Sequence, residues 1–558
     1  MQHFLTVMIR NPLITRLASL LPALSLLLAV TAPLHAVDSS PKPDKSASDA
    51  AADKKGGDDS AEPKLSVTEH TVTIGGKSVK YKATTGYILL KTEDGGDEGK
   101  DAKDSKPADK DGLKPKAKIF FIAYTLEGKD ADQAKRPLAF SLNGGPGAAS
   151  VWLHLGALGP RRVDLTELGE APPPPYKLVD NESSWLDSTD LVFIDPVSTG
   201  YSRTAPGTKP DEYHNFENDI ASIAEFIRLY VTRNERWLSP KYVIGESYGT
   251  TRAAALADYL QEKDSLYLNG IVLVSSVLNF QTIDFSANND TAYPLYLPSY
   301  ATAAWYHKRL PDELQSQSLD EVRKAAADFA DHDYLLALAQ GDALPDDEKA
   351  QIADKLAAFT GIPAPLIAKR NLRVTPEEFF TDLLMAKDRA IGRYDSRYTG
   401  IRYEPGTESY EYDPSFEAVN GPFSAAINAY LRGELKFETD LQYETLANVF
   451  PWSWKPAENR YVNTAESLRE AMIRNPYLKI WVCAGLYDLA TPYHAAEYSI
   501  RQMKLDPSIR GNIKLTYYPA GHMLYTVPEA REQLKKDFLG FLRDSTTQLP
   551  VHTAARPD

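Results

Sequence analysis

Tyr242-Val243-Ile244-Gly245-Glu246-Ser247-Tyr248-Gly249 is the stretch on which the reading of the whole chain turns. Three strand-forming residues run into a Gly-x-Ser-x-Gly pentapeptide, and residues 251–260 continue as a helix. This succession predicts a strand, a sharp turn and a helix. The Ser247 hydroxyl would be lifted above a sheet edge, with both glycines letting strand and helix approach each other. An ordinary glycine-rich turn has the same composition, so the flanking sequence has to decide between the two.

Working outward, strand and helix signals alternate. Leu191-Val192-Phe193-Ile194-Asp195 is a short apolar run before a proline. Phe216, Ile220, Ile223, Ile227 and Tyr230 recur at helical spacing. Ile271-Val272-Leu273-Val274 follows the helix after Ser247, and runs at 479–484 and 513–518 resume the pattern late in the chain. Strands alternating with helices predict an α/β fold with a mostly parallel central sheet covered on both faces. Between about 282 and 445 the periodicity is helical instead, most clearly at 320–340 and 346–359. A helical cap inserted between two parts of one core is therefore expected, with the core at 66–281 and 446–545. Two earlier apolar runs, 86–90 and 119–124, flank a charged stretch from about 93 to 116 that reads as a long hairpin loop.

An activated serine needs a base, and this architecture orders nucleophile, acid and histidine along the chain. His3 and His35 lie in the N-terminal segment; His70, His154 and His214 precede the serine. His307 and His332 fall in the helical insertion, His494 begins a helix, and His552 lies in a polar tail (546–558). His522 follows a strand in the loop Pro519-Ala520-Gly521-His522-Met523, where a general base belongs. Asp488 lies on the loop after the preceding strand and would hold the imidazole in its productive tautomer, although a turn aspartate before Pro492 has the same appearance. Asp506, followed by Pro507, reads as a surface turn. The oxyanion of an acyl-transfer intermediate requires backbone donors. The Tyr248 amide should be one, and Asn143-Gly144-Gly145-Pro146-Gly147, after the run at 138–140, fits the early glycine-rich loop expected to supply a second, although alone it could be any turn.

Composition narrows the function classes. A net charge of -14 and the lack of a basic stripe argue against nucleic acid or an anionic membrane as partner. The segment 1–36 reads as a signal peptide: Arg10 and Arg16, then an apolar run at 17–30, then Leu34-His35-Ala36. Residues 37–65 are Asp, Lys, Ala, Ser, Gly and Pro with almost no large apolar side chain, the signature of a disordered linker. No further long apolar stretch follows, so no stable membrane insertion is expected after cleavage. These features point to an exported protein, periplasmic or secreted. Cys483 is the single cysteine, so no intrachain disulfide forms, and its apolar setting marks it as a buried hydrophobe. No His or Cys pair stands at ligand spacing in the site motifs, so neither metal nor cofactor is expected.

Taken together, these motifs resemble those of the serine carboxypeptidases, in an exported bacterial-type form. Asn143 to Gly147 looks like the early signature of that family. Asn181 to Trp185, Phe193-Ile194-Asp195-Pro196-Val197 and Gly200-Tyr201-Ser202 look like its second block. Gly245 to Gly249, Gly485 with Asp488, and Gly521-His522-Met523 match its nucleophile, acid and base motifs, and the likeness runs from about 118 to 541. The resemblance implies an α/β-hydrolase fold, peptide substrates, and Ser247, Asp488 and His522 as catalytic residues. It further implies Gly145 and Tyr248 as oxyanion donors, with Asn143, the Gly144 amide and Glu246 binding the substrate's terminal carboxylate. Three departures stand out. Ala157 occupies the place of a second glutamate before Leu-Gly-Pro, Ala148 the place of a cysteine, and Asp195-Pro196-Val197-Ser198 lacks a Gln and a Gly. Ala157 keeps an esterase or acyltransferase on the same scaffold in view; a non-catalytic peptide-binding protein is the reading from another class.

Overall fold

Along each central strand, alternate side chains enter two different apolar clusters. Ala139 of one strand, Tyr242 and Ile244 of the next, and Trp481 and Cys483 further on share the first cluster. Phe140, Val243, Ile480 and Val482 share the second. Side chains of a strand alternate with a period of two, so a run that is apolar at every position is the mark of a strand buried on both faces. The computed structural model describes residues 65–93, 113–128, 135–406, 409–455 and 457–546. The expected signal peptide, nearly all of the linker, most of the long hairpin loop and nearly all of the polar tail lie outside the described residues.

The principal sheet contains β1 (Ser66–Ile74), β2 (Lys77–Glu93), β3 (Leu113–Leu126), β4 (Leu138–Leu142), β5 (Asp190–Ile194), β6 (Lys241–Ser247), β7 (Gly270–Ser276), β8 (Lys479–Gly485) and β9 (Ile513–Tyr518). Their spatial order is β1-β2-β3-β5-β4-β6-β7-β8-β9, with the two-residue strand Arg203–Thr204 paired to β3. From β5 to β9 every pairing is parallel. The edge strands β1, β2 and β3 pair antiparallel, and β2 and β3 run well beyond the two short apolar runs, out to Glu93 opposite Leu113.

Helices in chain order are α1 (Phe216–Arg233), α2 (Tyr248–Asp264), α3 (Ala292–Tyr306), α4 (Leu319–Phe329), α5 (Asp346–Thr360), α6 (Pro376–Asp382), α7 (Pro414–Gly433), α8 (Ala465–Arg474), α9 (Tyr493–Arg501) and α10 (Pro528–Thr546). The first of these starts where the Asn215 side chain accepts a hydrogen bond from the Asn218 amide at 2.8 Å. It buries Ile220, Ile223, Ile227 and Tyr230 on the second face of the sheet, beside apolar residues of α2 and α8. On the first face lie α7 and α10, through Phe423, Tyr430, Leu534 and Phe538. Helices α3 to α6 build a third cluster around Tyr296, Val322, Leu356 and Phe379, which also takes in Leu489 from the loop after β8. Although α7 belongs by sequence to the helical stretch, it packs with the sheet.

The run at 320–340 is not one continuous helix. A π-helical turn, Ala330–Tyr334, separates α4 from Leu335–Gln340. The chain then returns to the sheet edge: Leu489 donates to the Arg393 carbonyl at 3.1 Å, Ser396 to Tyr487 at 3.0 Å, and His522 to Tyr394 at 2.6 Å, each through the backbone amide. No helix among the described residues is long and apolar enough to cross a membrane.

Candidate active site

Ser247 ends β6 at φ 59° and ψ -128°, a backbone conformation that non-glycine residues seldom adopt. Holding it costs of order 1–3 kcal/mol, which the packed strand and helix on either side must supply. The turn is as tight as the motif demands. A Cβ on Gly245 would stand 2.1 Å from the Gly249 carbonyl oxygen, and one on Gly249 2.4 Å from that of Leu142. The side chain of Ser247 is half-buried, and α2 begins at the very next residue.

Asp488 and His522 sit on the two loops that leave β8 and β9. His522 Nδ1 lies 2.8 Å from Asp488 Oδ2, and both side chains are buried, at 3% and 0% exposure. A buried carboxylate has to be satisfied by donors. Asp488 accepts from the amides of Ala490 at 2.7 Å and Thr491 at 3.0 Å, and from the Thr491 hydroxyl at 2.8 Å. An ionised carboxylate only accepts, so Nδ1 carries the imidazole proton and Nε2 is left as the basic nitrogen. Tyr394 packs its ring 5.0 Å from that of His522. At Ser275 a β-bulge shifts the register between β6 and β7, and the Ser275 hydroxyl donates to the His522 carbonyl at 2.6 Å. Ser275 and Tyr394 carry no local sequence signal, because each acts on a residue far away in the chain, whereas Thr491 binds Asp488 three residues before it.

The glycine-rich loop lies against the elbow. A Cβ on Gly144 would come within 2.7 Å of both Ser247 Cβ and the Tyr248 amide nitrogen. Arg252, near the start of α2, holds this loop by donating to the carbonyls of Asn143 at 2.6 Å and Gly144 at 3.2 Å. Its guanidinium is neutralised by Asp219 of α1 at 2.8 Å, and both residues are buried. Further along, Ala447 donates to the Gly147 carbonyl at 2.8 Å, so the segment after α7 crosses the same loop.

Beside Ser247, several buried polar atoms lack hydrogen bonds. Asn143 Oδ1 accepts from the Leu153 amide at 3.0 Å, which turns Nδ2 away from that contact. That Nδ2, Glu246 Oε2 and the Tyr525 hydroxyl all lack partners. Tyr525 and Asn143 nevertheless lie close enough to steady a charge on Glu246, short of hydrogen-bond geometry. Burial pushes the Glu246 carboxyl up to about 7; His522, Tyr525 and Asn143 counter part of that rise and Asp488 adds to it. Among the described residues, Ser247 makes no side-chain hydrogen bond to His522. Nucleophile–base contacts in an empty site are often longer than in the substrate complex.

The chain is similar to known proteins over most of its length. The family model described as "Serine carboxypeptidase" matches residues 111–514, a span that includes Ser247 and Asp488 and stops short of His522. The chain is 24% identical over 411 residues to serine carboxypeptidase-like 22 of Arabidopsis thaliana, covering 71% of this chain and 75% of that protein. It is 31% identical over 171 residues to the pheromone-processing carboxypeptidase KEX1 of Saccharomyces cerevisiae, covering 29% of this chain and 20% of that protein. A crystal structure of KEX1 superposes with a TM-score of 0.46 at 16% identity, covering 84% of this chain and 92% of that one. With the family model spanning most of its length and a mostly parallel sheet ending in a serine elbow, the chain belongs to the serine carboxypeptidase family and has an α/β-hydrolase fold.

Proposed function

We propose that this serine carboxypeptidase removes C-terminal residues from free-acid peptides through an acyl-enzyme on Ser247. The observation that carries the substrate reading is the pair of unpartnered polar atoms, Asn143 Nδ2 and Glu246 Oε2, buried directly beside the nucleophile. An unsatisfied buried polar group costs about 1–3 kcal/mol, a cost that a bound carboxylate would relieve. With its carboxyl near neutrality, Glu246 can be protonated and act as a donor to that carboxylate.

In the acylation step, Ser247 Oγ attacks the scissile carbonyl carbon while His522 Nε2 takes the hydroxyl proton. Asp488 stabilises the imidazolium that results. The Tyr248 and Gly145 amides donate to the oxyanion. His522 then passes its proton to the leaving nitrogen, the C–N bond breaks, and the C-terminal amino acid departs. Water, deprotonated by the same nitrogen, attacks the ester. Collapse of the second intermediate returns the proton to Ser247 and frees the shortened peptide. The insertion at 282–445 acts as a cap in this scheme, its segment 393–396 packed on the acid and base loops. The site uses no metal or cofactor.

The leader at 1–36 supports export to the periplasm or the medium. N-terminal sequencing of protein recovered outside the cytoplasm should begin after Ala36. For the activity itself, a free-acid peptide and its C-terminal amide are incubated with the enzyme and followed by mass spectrometry. A ladder of single-residue losses from the acid, with the amide little changed, is expected. Equal attack on both, or internal cleavage, would contradict the proposal.

A further inference from the structure

Ala157 leaves the carboxylate site one acid short of the pattern the sequence resembles. The turn that carries this residue packs against a tyrosine of the loop after β9. Ala157 lies in a π-helical turn, His154–Leu158, and the neighbouring Gly156 has no room for a side chain. A Cβ there would stand 2.4 Å from Tyr525 Cε2 and 2.6 Å from Cδ2. The Tyr525 ring therefore lies flush against the backbone of this turn. It comes from the short helical turn Leu524–Thr526, just after His522 on the base loop. The residue is wholly buried, and its hydroxyl has no hydrogen bond although Glu246 and Asn143 are its polar neighbours.

We propose that the Tyr525 hydroxyl is a third donor to the substrate's terminal carboxylate, acting with Asn143 and Glu246 in place of the missing acid. The inference rests on the carboxypeptidase reading above. Three observations favour it. The phenol packs against Gly156, in the same turn that carries Ala157. Its oxygen is a buried polar atom that the fold itself leaves unused. Burial, and then the nearby Glu246 carboxyl, hold the phenol well above its ordinary value, so it remains an O–H donor. A carboxylate offers about four lone-pair directions, enough for Asn143 Nδ2, a protonated Glu246 and Tyr525 together.

The test compares kcat and KM for an N-blocked dipeptide free acid and its amide in wild type, Tyr525→Phe and Gly156→Ala. Tyr525→Phe deletes one unpaired oxygen from an apolar site, so the fold should hold or gain stability. The acid-to-amide ratio of kcat/KM is expected to fall roughly 10- to 100-fold, the range for a hydrogen bond to a charged group. The loss should lie mainly in KM for the acid. Inhibition by an N-acyl amino acid, the free-acid product class, should weaken in parallel. Gly156→Ala keeps the hydroxyl but displaces the ring, and the same loss is expected from it. A purely structural tyrosine would give a lower denaturation midpoint with the ratio intact, and that result overturns the proposal. If wild type favours the acid and both variants preserve that preference, Tyr525 is not a donor while the carboxypeptidase reading stands. If wild type itself makes no distinction, both fall.

Discussion

Glu246 shows at the scale of one residue how burial and function meet. Its carboxyl is held near neutrality chiefly by desolvation. In the role proposed for it, the protonated group would donate to a substrate carboxylate below about 7, and the ionised group would repel one above it. The acid-to-amide ratio of kcat/KM should therefore fall as pH rises through about 7, and Glu246→Gln should flatten the profile. Taking the ratio cancels the protonation of the base, which affects both substrates. A ratio that rises with pH, or an unchanged profile in Glu246→Gln, would refute this role. Ser247, Asp488 and His522 could be picked out as candidates from sequence because each lies at or just after the end of a strand, in a fixed chain order. Tyr525 could not, since its significance depends on Gly156 and Glu246, which are distant in sequence. The same holds for Arg252, whose carbonyl acceptors and Asp219 partner meet it only in the folded chain.

At the scale of elements, the elbow is the part with least tolerance. Gly245→Ala places a methyl 2.1 Å from a backbone oxygen that cannot move without breaking the start of α2. Forced overpacking of this kind typically costs 1–3 kcal/mol, so a lowered urea midpoint and a large loss of turnover are expected together. Wild-type stability with full activity in that variant would show that the turn is looser than described. The alternation of apolar residues made the parallel strands legible in advance. It did not show where β2 and β3 end, because their outer residues are polar and are held by ladder hydrogen bonds. Nor did helical spacing distinguish α7, packed on the sheet, from α3 to α6, which form a cluster of their own. Periodicity reports that a face is buried, not what it is buried against.

Across the whole molecule, the fold carries strained and unpaired groups near its site, and this has a consequence for stability. Asp195, buried just after β5, accepts from the Ser150 amide at 2.9 Å, and the Tyr443 hydroxyl beside it offsets part of the cost of its burial. Burial pushes its carboxyl up to about 7, as it does for Glu246. Both folded values lie above the unfolded ones of about 4. Between about pH 4 and pH 7 the native state therefore holds protons that the unfolded chain has released, and stability falls as pH rises through that window. Asp195→Asn and Glu246→Gln should each reduce the fall, as measured by urea midpoints across pH. A steeper fall in either variant would contradict the assignment.

Whether Ser247 is the nucleophile of this carboxypeptidase is decided by labelling the protein with a fluorophosphonate and locating the adduct by mass spectrometry, alongside peptide trimming by wild type and Ser247→Ala. One adduct is expected, on the peptide that contains Ser247, with labelling and trimming both abolished in a folded Ser247→Ala. An adduct on another residue, or trimming that survives in Ser247→Ala, would contradict it.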